Sequence, residues 1–212
     1  MRTRQDPRRE TTRVALIEAA EALFARFGVD VVSTRQLGAA IGSQNTNVVS
    51  YHFGSKDALV EAVYRYRLPQ IDRRRGELLR EAEDSGQSGN LDRILHAFAL
   101  PLFEQTDADG QHSYARFVAA IERSGMIATR GEVAGDFPET AKLIRRIVEH
   151  LEVSVAEAHT RIRLAMALIV ASLHMADVET EKRGSDASEL FEIALAMATA
   201  GLKATVATET TY

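Results

Sequence analysis

The chain has 212 residues, of which 45% are apolar, and carries 26 Lys and Arg against 30 Asp and Glu. This composition is that of a globular protein and argues against extended disorder. There is no cysteine, so disulfides and thiolate zinc sites are excluded. No apolar run approaches the roughly 18 residues of a membrane span, and the basic N-terminus lacks the apolar segment of a secretory signal. We therefore expect a soluble, cytoplasmic protein.

The net charge of −4 is unevenly distributed. Residues 1–76 contain 13 Lys and Arg against 8 Asp and Glu, whereas the remaining residues contain 13 against 22. A basic N-terminal third on an acidic protein indicates that this third faces a polyanion. Chance unevenness of solvated faces explains the charge pattern equally well, so the charge alone does not decide between them.

The sequence predicts an all-α protein, because Ala, Leu, Glu and Arg dominate, proline is scarce and strand-like alternation is absent. The first helix is predicted to begin at Asp6 and Pro7, a side-chain cap followed by a favourable first residue, and to end at Gly28. Its apolar face has the three- and four-residue spacing of a packed helix. That face consists of Leu16, Ile17, Ala20, Leu23, Phe24 and Phe27.

Two short helices follow in the segment "STRQLGAAIGSQNTNVVSYHFGSKDAL". Ser33 and Gln36 have the spacing of a capping box, so the second helix should begin there and stop at Gly42. The third is predicted over residues 46–53 with Asn45 as its cap. Two short helices joined by a tight turn and braced by a longer one form a helix-turn-helix.

The rest of the chain is predicted to form a helical bundle with short polar linkers. Gly54 ends the third helix, Ser55 caps the fourth, and Pro69 should bend or restart it. Later helices are predicted over residues 71–84, 90–105, 111–125, 138–157, 160–183 and 186–206.

The last two predicted helices are apolar over more of their circumference than a surface helix should be, and they are rich in alanine. They are therefore candidates for a four-helix seam between two copies of the chain. Burial within the protomer's own bundle is the alternative. His174 and Asp177 lie three residues apart on the first of these helices, and we expect them to hydrogen-bond across the seam.

The polar residues of the third helix suit nucleic acid. Asparagine can bridge adenine, threonine can offer its methyl group to thymine, and hydroxyls can hold phosphates. Basic residues flank the helix, and arm arginines at positions 2, 4, 8, 9 and 13 could reach flanking phosphates or a minor groove. The candidate DNA contacts are Arg35, Asn45, Thr46, Asn47, Ser50, Tyr51, His52 and Lys56.

Residues 11–60 resemble the DNA-binding domain of the TetR family of transcriptional regulators, through Thr34, Arg35 and Leu37 and through the run "YHFGSKDAL". Gly38 stands where the family usually has alanine. The segment from Gly42 to Lys56 is also one residue longer than the commonest family spacing. The resemblance adds Thr34 to the candidate contacts and implies a homodimeric repressor of a pseudo-palindromic operator, in which the last two helices form the dimer.

The resemblance also implies two domains, a DNA-binding domain at 1–57 and a ligand-binding and dimerisation domain at 58–212. Regulators of this architecture are usually switched by a small molecule bound among the helices of the larger domain. Candidate pocket residues share an apolar or aromatic character, although most of them should simply be core. They are Phe98, Leu102, Phe103, Tyr114, Phe117 and Ile121.

Two other functions compete with DNA binding. An enzyme is disfavoured, because no histidine pair has metal-ligand spacing and no phosphate-cradling loop or nucleophile elbow occurs. We accordingly expect no catalytic residue, no metal and no cofactor. A helical protein-interaction module, in which the same segment is a docking surface, stays open as the alternative.

Overall fold

The computed structural model describes residues 7–126, 133, 135–183 and 187–205. Within these residues the chain forms nine α-helices and no strand, which confirms the all-α prediction. The helices are α1 (Pro7–Phe27), α2 (Thr34–Ala40), α3 (Val48–Phe53), α4 (Lys56–Asp84), α5 (Leu91–Phe103), α6 (Ser113–Ser124), α7 (Pro138–His150), α8 (Val155–Arg183) and α9 (Ala187–Lys203). We refer to α1–α3 as the head and to α4–α9 as the body. Asp6, the predicted cap of α1, lies outside the described residues.

The boundaries of the head helices follow local chemistry. At α2 the Ser33 Oγ accepts a hydrogen bond from the Gln36 amide at 3.3 Å, and Gln36 Oε1 accepts one from the Ser33 amide at 2.8 Å, which confirms the predicted capping box. Ser55 Oγ likewise caps α4 at the Ala58 amide, 3.0 Å away. Gly54 ends α3 with a φ of 82°, a conformation that a residue with a Cβ rarely adopts.

The start of α3 was predicted two residues too early. Asn45 caps a turn, since its Oδ1 accepts a hydrogen bond from the Asn47 amide at 2.9 Å. Thr46 and Asn47 therefore belong to this turn, and the helix begins at Val48. Side chains of this type compete with helical hydrogen bonding just before a helix, which the helical pattern alone does not reveal.

Pro69 does not restart the helix, because α4 is one helix of 29 residues that passes through it; the predicted bend stays a prediction. Proline removes the amide that would bond to the carbonyl four residues earlier, that of Arg65. Arg65 is exposed, so water can bind that carbonyl, while Leu68 and Ile71 on either side of the proline are buried in the core. Burial of this face stabilises the helix across its defect.

The predicted helix over residues 138–157 was also too long. It ends at His150, and α8 begins at Val155 rather than at residue 160. The imidazole Nδ1 of His150 lies 2.7 Å from the Arg146 carbonyl oxygen in the last turn of α7. Ser154 Oγ then accepts a hydrogen bond from the Glu157 amide at 3.2 Å, so a serine cap starts the next helix.

A continuous hydrophobic core connects head and body. Phe24 of α1 stacks on Phe117 of α6 with ring centroids 6.3 Å apart, and Tyr64 of α4 meets Phe117 edge-on at 5.1 Å. The predicted domain boundary between residues 57 and 58 falls in the first turn of α4. The division into two domains at that point stays a prediction.

A buried carboxylate also joins the two parts. Glu21 of α1 is only 2% exposed and accepts hydrogen bonds from the Arg67 Nε of α4 at 2.6 Å and from the Ser113 Oγ of α6 at 2.6 Å. A buried charge with a charged partner and a hydroxyl partner is satisfied, so Glu21 fixes α1 against both helices.

The prediction that His174 and Asp177 hydrogen-bond across a dimer seam was wrong for Asp177. Its buried carboxylate lies 2.6 Å from the His112 Nδ1 and also accepts the His112 backbone amide at 3.2 Å, within one protomer. The partner is 65 residues away in sequence, so no local spacing indicates it. His174 is exposed on α8. None of the helices described here is both long enough and apolar enough to cross a membrane.

Candidate nucleic-acid interface

The inner face of α3 is apolar and fixes the helix against α2. Val48 and Val49 are buried, and Val49 is completely inaccessible. Gly38 of α2 lies directly against Val48, because a Cβ at Gly38 would stand 3.0 Å from the Val48 Cγ1. The glycine that replaces the family's usual alanine therefore permits a close approach of the two helices at this point.

The outer surface of the turn and of α3 is polar. The predicted contacts Asn45, Thr46, Asn47 and Ser50 are all exposed, and Tyr51 is 65% exposed. The surface made by these five residues, which we call the polar face, displays amide, hydroxyl and phenol groups. All of these can reach base edges or phosphates.

The two predicted contacts on α2 differ in exposure. Arg35 is exposed in the first turn, whereas Thr34 is half-buried next to it. A guanidinium at a helix N-terminus adds its charge to the positive end of the helix dipole, an arrangement that favours phosphate.

His52 turns inward compared with its neighbours on α3. Its imidazole is half-buried and meets the Tyr51 ring edge-on, with ring centroids 5.0 Å apart. Burial lowers the pKa of His52, the positive charges of Arg9 and Arg13 lower it further, and Glu10 opposes them. Its Nδ1 is buried and has no hydrogen-bond partner within the described chain.

Lys56, a predicted phosphate contact, is less exposed than a surface lysine usually is. It is partly buried at the start of α4, and its Nζ lies 5.8 Å from the centroid of the Phe24 ring. The ammonium group is therefore placed between α4 and α1, and part of its attraction is to the face of an aromatic ring.

Two arm arginines lie against the aromatic residues of α3. The guanidinium of Arg9 is 5.6 Å from the Tyr51 ring centroid, and that of Arg13 is 5.0 Å from the Phe53 centroid. These cation–π contacts bring positive charge from α1 to the edge of the polar face. The sequence prediction treated both as arm residues, whereas they lie in the first two turns of α1, and it did not reveal this stacking. Arg2 and Arg4 lie outside the described residues.

The exposed turn contains one further polar residue that was not among the predicted contacts. Gln44 is exposed and immediately precedes Asn45. Its amide has the same capacity for base contacts as that of asparagine. The signal is present in the sequence, because Gln44 belongs to the same polar run as the predicted contacts.

The six predicted pocket residues lie in or against the core of the body. Phe103 is half-buried and stacks on Phe191 with centroids 4.9 Å apart, while the other five are buried. A cavity of about 500 Å³ lies elsewhere, between α1, α6 and α8, and none of the six lines it. The assignment of an effector to these six residues stays a prediction. No group of three or more metal-ligating side chains occurs among the described residues.

Comparison with known proteins identifies the same segment. Residues 16–63 match the model of the family described as bacterial regulatory proteins, tetR family. No curated protein matches the chain. Among solved structures, the TetR family transcriptional regulator PfmR from Thermus thermophilus is 20% identical over 90% of this chain and 95% of its own, with a TM-score of 0.47. The family match spans the helix-turn-helix, so residues 16–63 are similar to the DNA-binding part of this family, in agreement with the resemblance found in the sequence.

Proposed function

We propose, from the premise that the chain is a DNA-binding transcriptional regulator of the TetR family, that it is a cytoplasmic homodimeric repressor released from its operator by a small-molecule effector. The observation that carries the DNA-binding part is the polar face, which presents short polar side chains on a rigid helix-turn-helix. DNA as the partner also supports the cytoplasmic location.

Each protomer inserts the polar face into a major groove. Asn47 and its neighbours contact base edges, whereas Arg35, Lys56 and the arginines of α1 contact phosphates. In a two-fold symmetric dimer the two heads would sit about 34 Å apart or at a somewhat larger helical repeat, which matches a pseudo-palindromic operator.

The dimer forms through α8 and α9. Among the described residues of these helices, five large apolar side chains are exposed, namely Val155 (61% exposed), Leu164 (66%), Met175 (51%), Ile193 (50%) and Met197 (57%). Ile193 and Met197 are four residues apart and share one face of α9. An exposed apolar patch of this kind on paired helices is typical of an interface between copies.

Release requires an effector that binds one state of the dimer better than the other, since equal affinity for both states shifts no population. In the proposed mechanism, the effector favours a dimer whose heads are wrongly spaced for the operator. The buried Glu21 contacts, which join α1 to α4 and α6, connect the body to the head.

The test is a binding assay of the full chain against random genomic DNA fragments in graded salt. We expect retained fragments and a steep fall of affinity with salt concentration, since phosphate contacts release counterions. Complete absence of retained DNA would contradict the proposal and would favour the helical protein-interaction module. Sequencing of the retained fragments then yields the operator.

A further inference from the structure

A cavity of about 500 Å³ opens between the C-terminal end of α1 and the helices α6 and α8. Its size is within the range of small-molecule sites in proteins. None of the six predicted pocket residues lines it. Residues of both the head and the body do. Its chemistry is not explained by DNA binding or by the apolar patch of α8 and α9.

The rim of the cavity is strongly basic. Four arginines line it, Arg26 from α1, Arg116 and Arg123 from α6, and Arg163 from α8, together with a single carboxylate, Glu122. Glu122 pairs with Arg163, with Nη2 and Oε1 2.5 Å apart. Arg26 and Arg123 are exposed, and neither forms an ion pair with a described residue; the Arg26 guanidinium lies 5.0 Å from the Phe27 ring centroid. The rim therefore carries an excess of positive charge.

Arg116 also lines the cavity and adds positive charge to it, although its side chain is engaged with neighbouring residues. Its side chain is 23% exposed, and its Nε lies 3.7 Å from the Asp177 Oδ2, too far for a hydrogen bond. Asp177 is already engaged with His112. The Nε of Arg116 is buried and has no hydrogen-bond partner within the described chain, while its Nη2 donates a hydrogen bond to the Gln111 Oε1 at 2.7 Å. Arg116 is thus held by its own neighbours, and the exposed Arg26 and Arg123 are the arginines that a ligand can reach.

The floor of the cavity is apolar. It is formed by Val118 of α6 together with Met166 and Val170 of α8, all of them buried. An apolar floor beneath a basic rim is complementary to a molecule with a hydrocarbon or aromatic body and one anionic group. A cationic or strongly polar molecule would leave either the charge or the apolar surface without a partner.

We propose that this cavity is an effector site for a small anionic amphipathic molecule, such as a medium-chain carboxylate, whose acid group is held by Arg26 and Arg123. The proposal rests on the proposed function only for its regulatory consequence. Because Arg26 belongs to α1 and Arg123 to α6, the bound anion joins the head to the body directly. Binding at this position is thereby linked to the orientation of the helix that braces the DNA-binding surface.

The direct test is isothermal titration of the DNA-free full-length protein with decanoate, decanol and decylamine, all below micelle-forming concentrations. The three probes share one chain length and differ in charge. We expect decanoate to bind at least about tenfold more tightly than decylamine, because only the anion complements the rim. Decanoate affinity no greater than that of decylamine would overturn the proposal.

Variants locate the site. The double variant Arg26→Gln/Arg123→Gln should lose about tenfold or more in decanoate affinity, whereas Arg73→Gln/Arg145→Gln, which removes two exposed arginines from α4 and α7, should bind like the wild type. Ala167→Trp places a large side chain in the cavity from an exposed position of α8 and should abolish binding of decanoate and decanol alike. Wild-type affinity in Ala167→Trp would place the site elsewhere and refute the proposal.

Two further measurements distinguish the effector site from a dimer interface and from the proposed DNA-binding function. Sedimentation of the Arg26→Gln/Arg123→Gln variant should give the same mass as the wild type. If this variant instead forms a weaker dimer and does not bind decanoate, a second copy of the chain covers the cavity, and the proposal is wrong. DNA affinity is measured separately on ligand-free protein. If the wild type does not bind DNA, the proposed function is wrong. Binding of decanoate in the titration would still support the proposed site, because that measurement does not involve DNA.

Discussion

The head and the terminal helices of the body expose opposite chemistry on similar backbones. The outer side of the turn and α3 presents Asn47, Ser50 and other polar groups, whereas the outer side of α8 and α9 presents Leu164 and Met197. Both surfaces are parts of amphipathic helices whose inner faces are buried in one core. The fold therefore does not distinguish them, and the exposed side chains alone determine which partner each surface suits.

The difference also concerns charge. Arg9 and Arg13 of α1 stack on aromatic rings of α3, and Arg35 of α2 is exposed, while Leu164, Met175, Ile193 and Met197 on α8 and α9 are exposed and uncharged. A polyanion gains from the first arrangement through phosphate contacts, and a second copy of the chain gains from the second through burial of apolar surface. Each of the following experiments changes one surface and uses the other as its reference.

The largest effect is expected from acidic substitutions in the apolar patch. Ile193→Glu/Met197→Glu should raise the dimer dissociation constant at least about a hundredfold, because carboxylates would be buried without partners in the seam. Sedimentation velocity at graded concentration measures this. Val31→Glu is the matched control, since Val31 is 70% exposed but lies in the head. If the double variant has the same mass as the wild type, α8 and α9 do not form the dimer interface.

The next effect concerns the junction between head and body. Glu21→Gln should lower the free energy of unfolding by about 2–3 kcal/mol, since it leaves the half-buried Arg67 guanidinium without its charge partner. Urea denaturation gives the value. Glu61→Gln, which breaks the exposed ion pair with Arg65, should cost much less. Equal losses in the two variants would show that Glu21 contributes no more than a surface residue.

A smaller effect is expected when single contacts of the polar face are changed. Arg35→Ala should weaken binding to all DNA sequences by about tenfold and lower the salt dependence by about one unit, as expected for a lost phosphate contact. Asn47→Ala should instead change which sequences are preferred. Selection of bound fragments followed by anisotropy titration measures both. Identical profiles for the two variants would contradict this division of roles, and Arg145→Ala in the body serves as the control.

Much of the head was predictable because its determinants are local. Ser33 and Gln36 lie three residues apart and form the capping box that their spacing predicts, and Gly54 ends α3 through a backbone angle that glycine adopts easily. The start of α3 was missed although its cause is local as well. Asn45 caps a turn there instead of the helix, and the sequence permits both.

The body was less predictable because its determinants are distant in sequence. The partner of Asp177 is His112, and Ser113 reaches Glu21 across 92 residues, so neither pair has a periodic signature. The continuity of α4 through Pro69 likewise depends on burial of the flanking side chains by other helices. The basic cavity between α1, α6 and α8 escaped detection for the same reason, since its arginines are scattered along the chain.

The smallest effect is expected from pH, through one histidine in each region. Burial lowers the pKa of His52 in the head and of His96 in the body below the ordinary value of 6.5. The unfolded chain therefore takes up protons before the folded chain does, and stability decreases as the pH falls from about 7.5 through 6.5 toward the folded-state values. Urea midpoints should show a flatter dependence in His52→Gln/His96→Gln. If the stability of that variant depends on pH as that of the wild type does, the two histidines are not the source of the pH dependence.

DNA separates the two histidines. In the proposed complex a phosphate lies close to His52, which would favour its charged form and raise its pKa, so wild-type DNA affinity should increase as the pH falls from about 7.5 to about 6. His52→Gln should flatten this dependence, because the group that takes up the proton is gone. His96→Gln should leave it unchanged, since His96 lies on α5 in the body. An equal change in both variants would mean that the pH acts on the fold as a whole, and the proposed distinction between a DNA-facing head and a partner-facing body would lose this support.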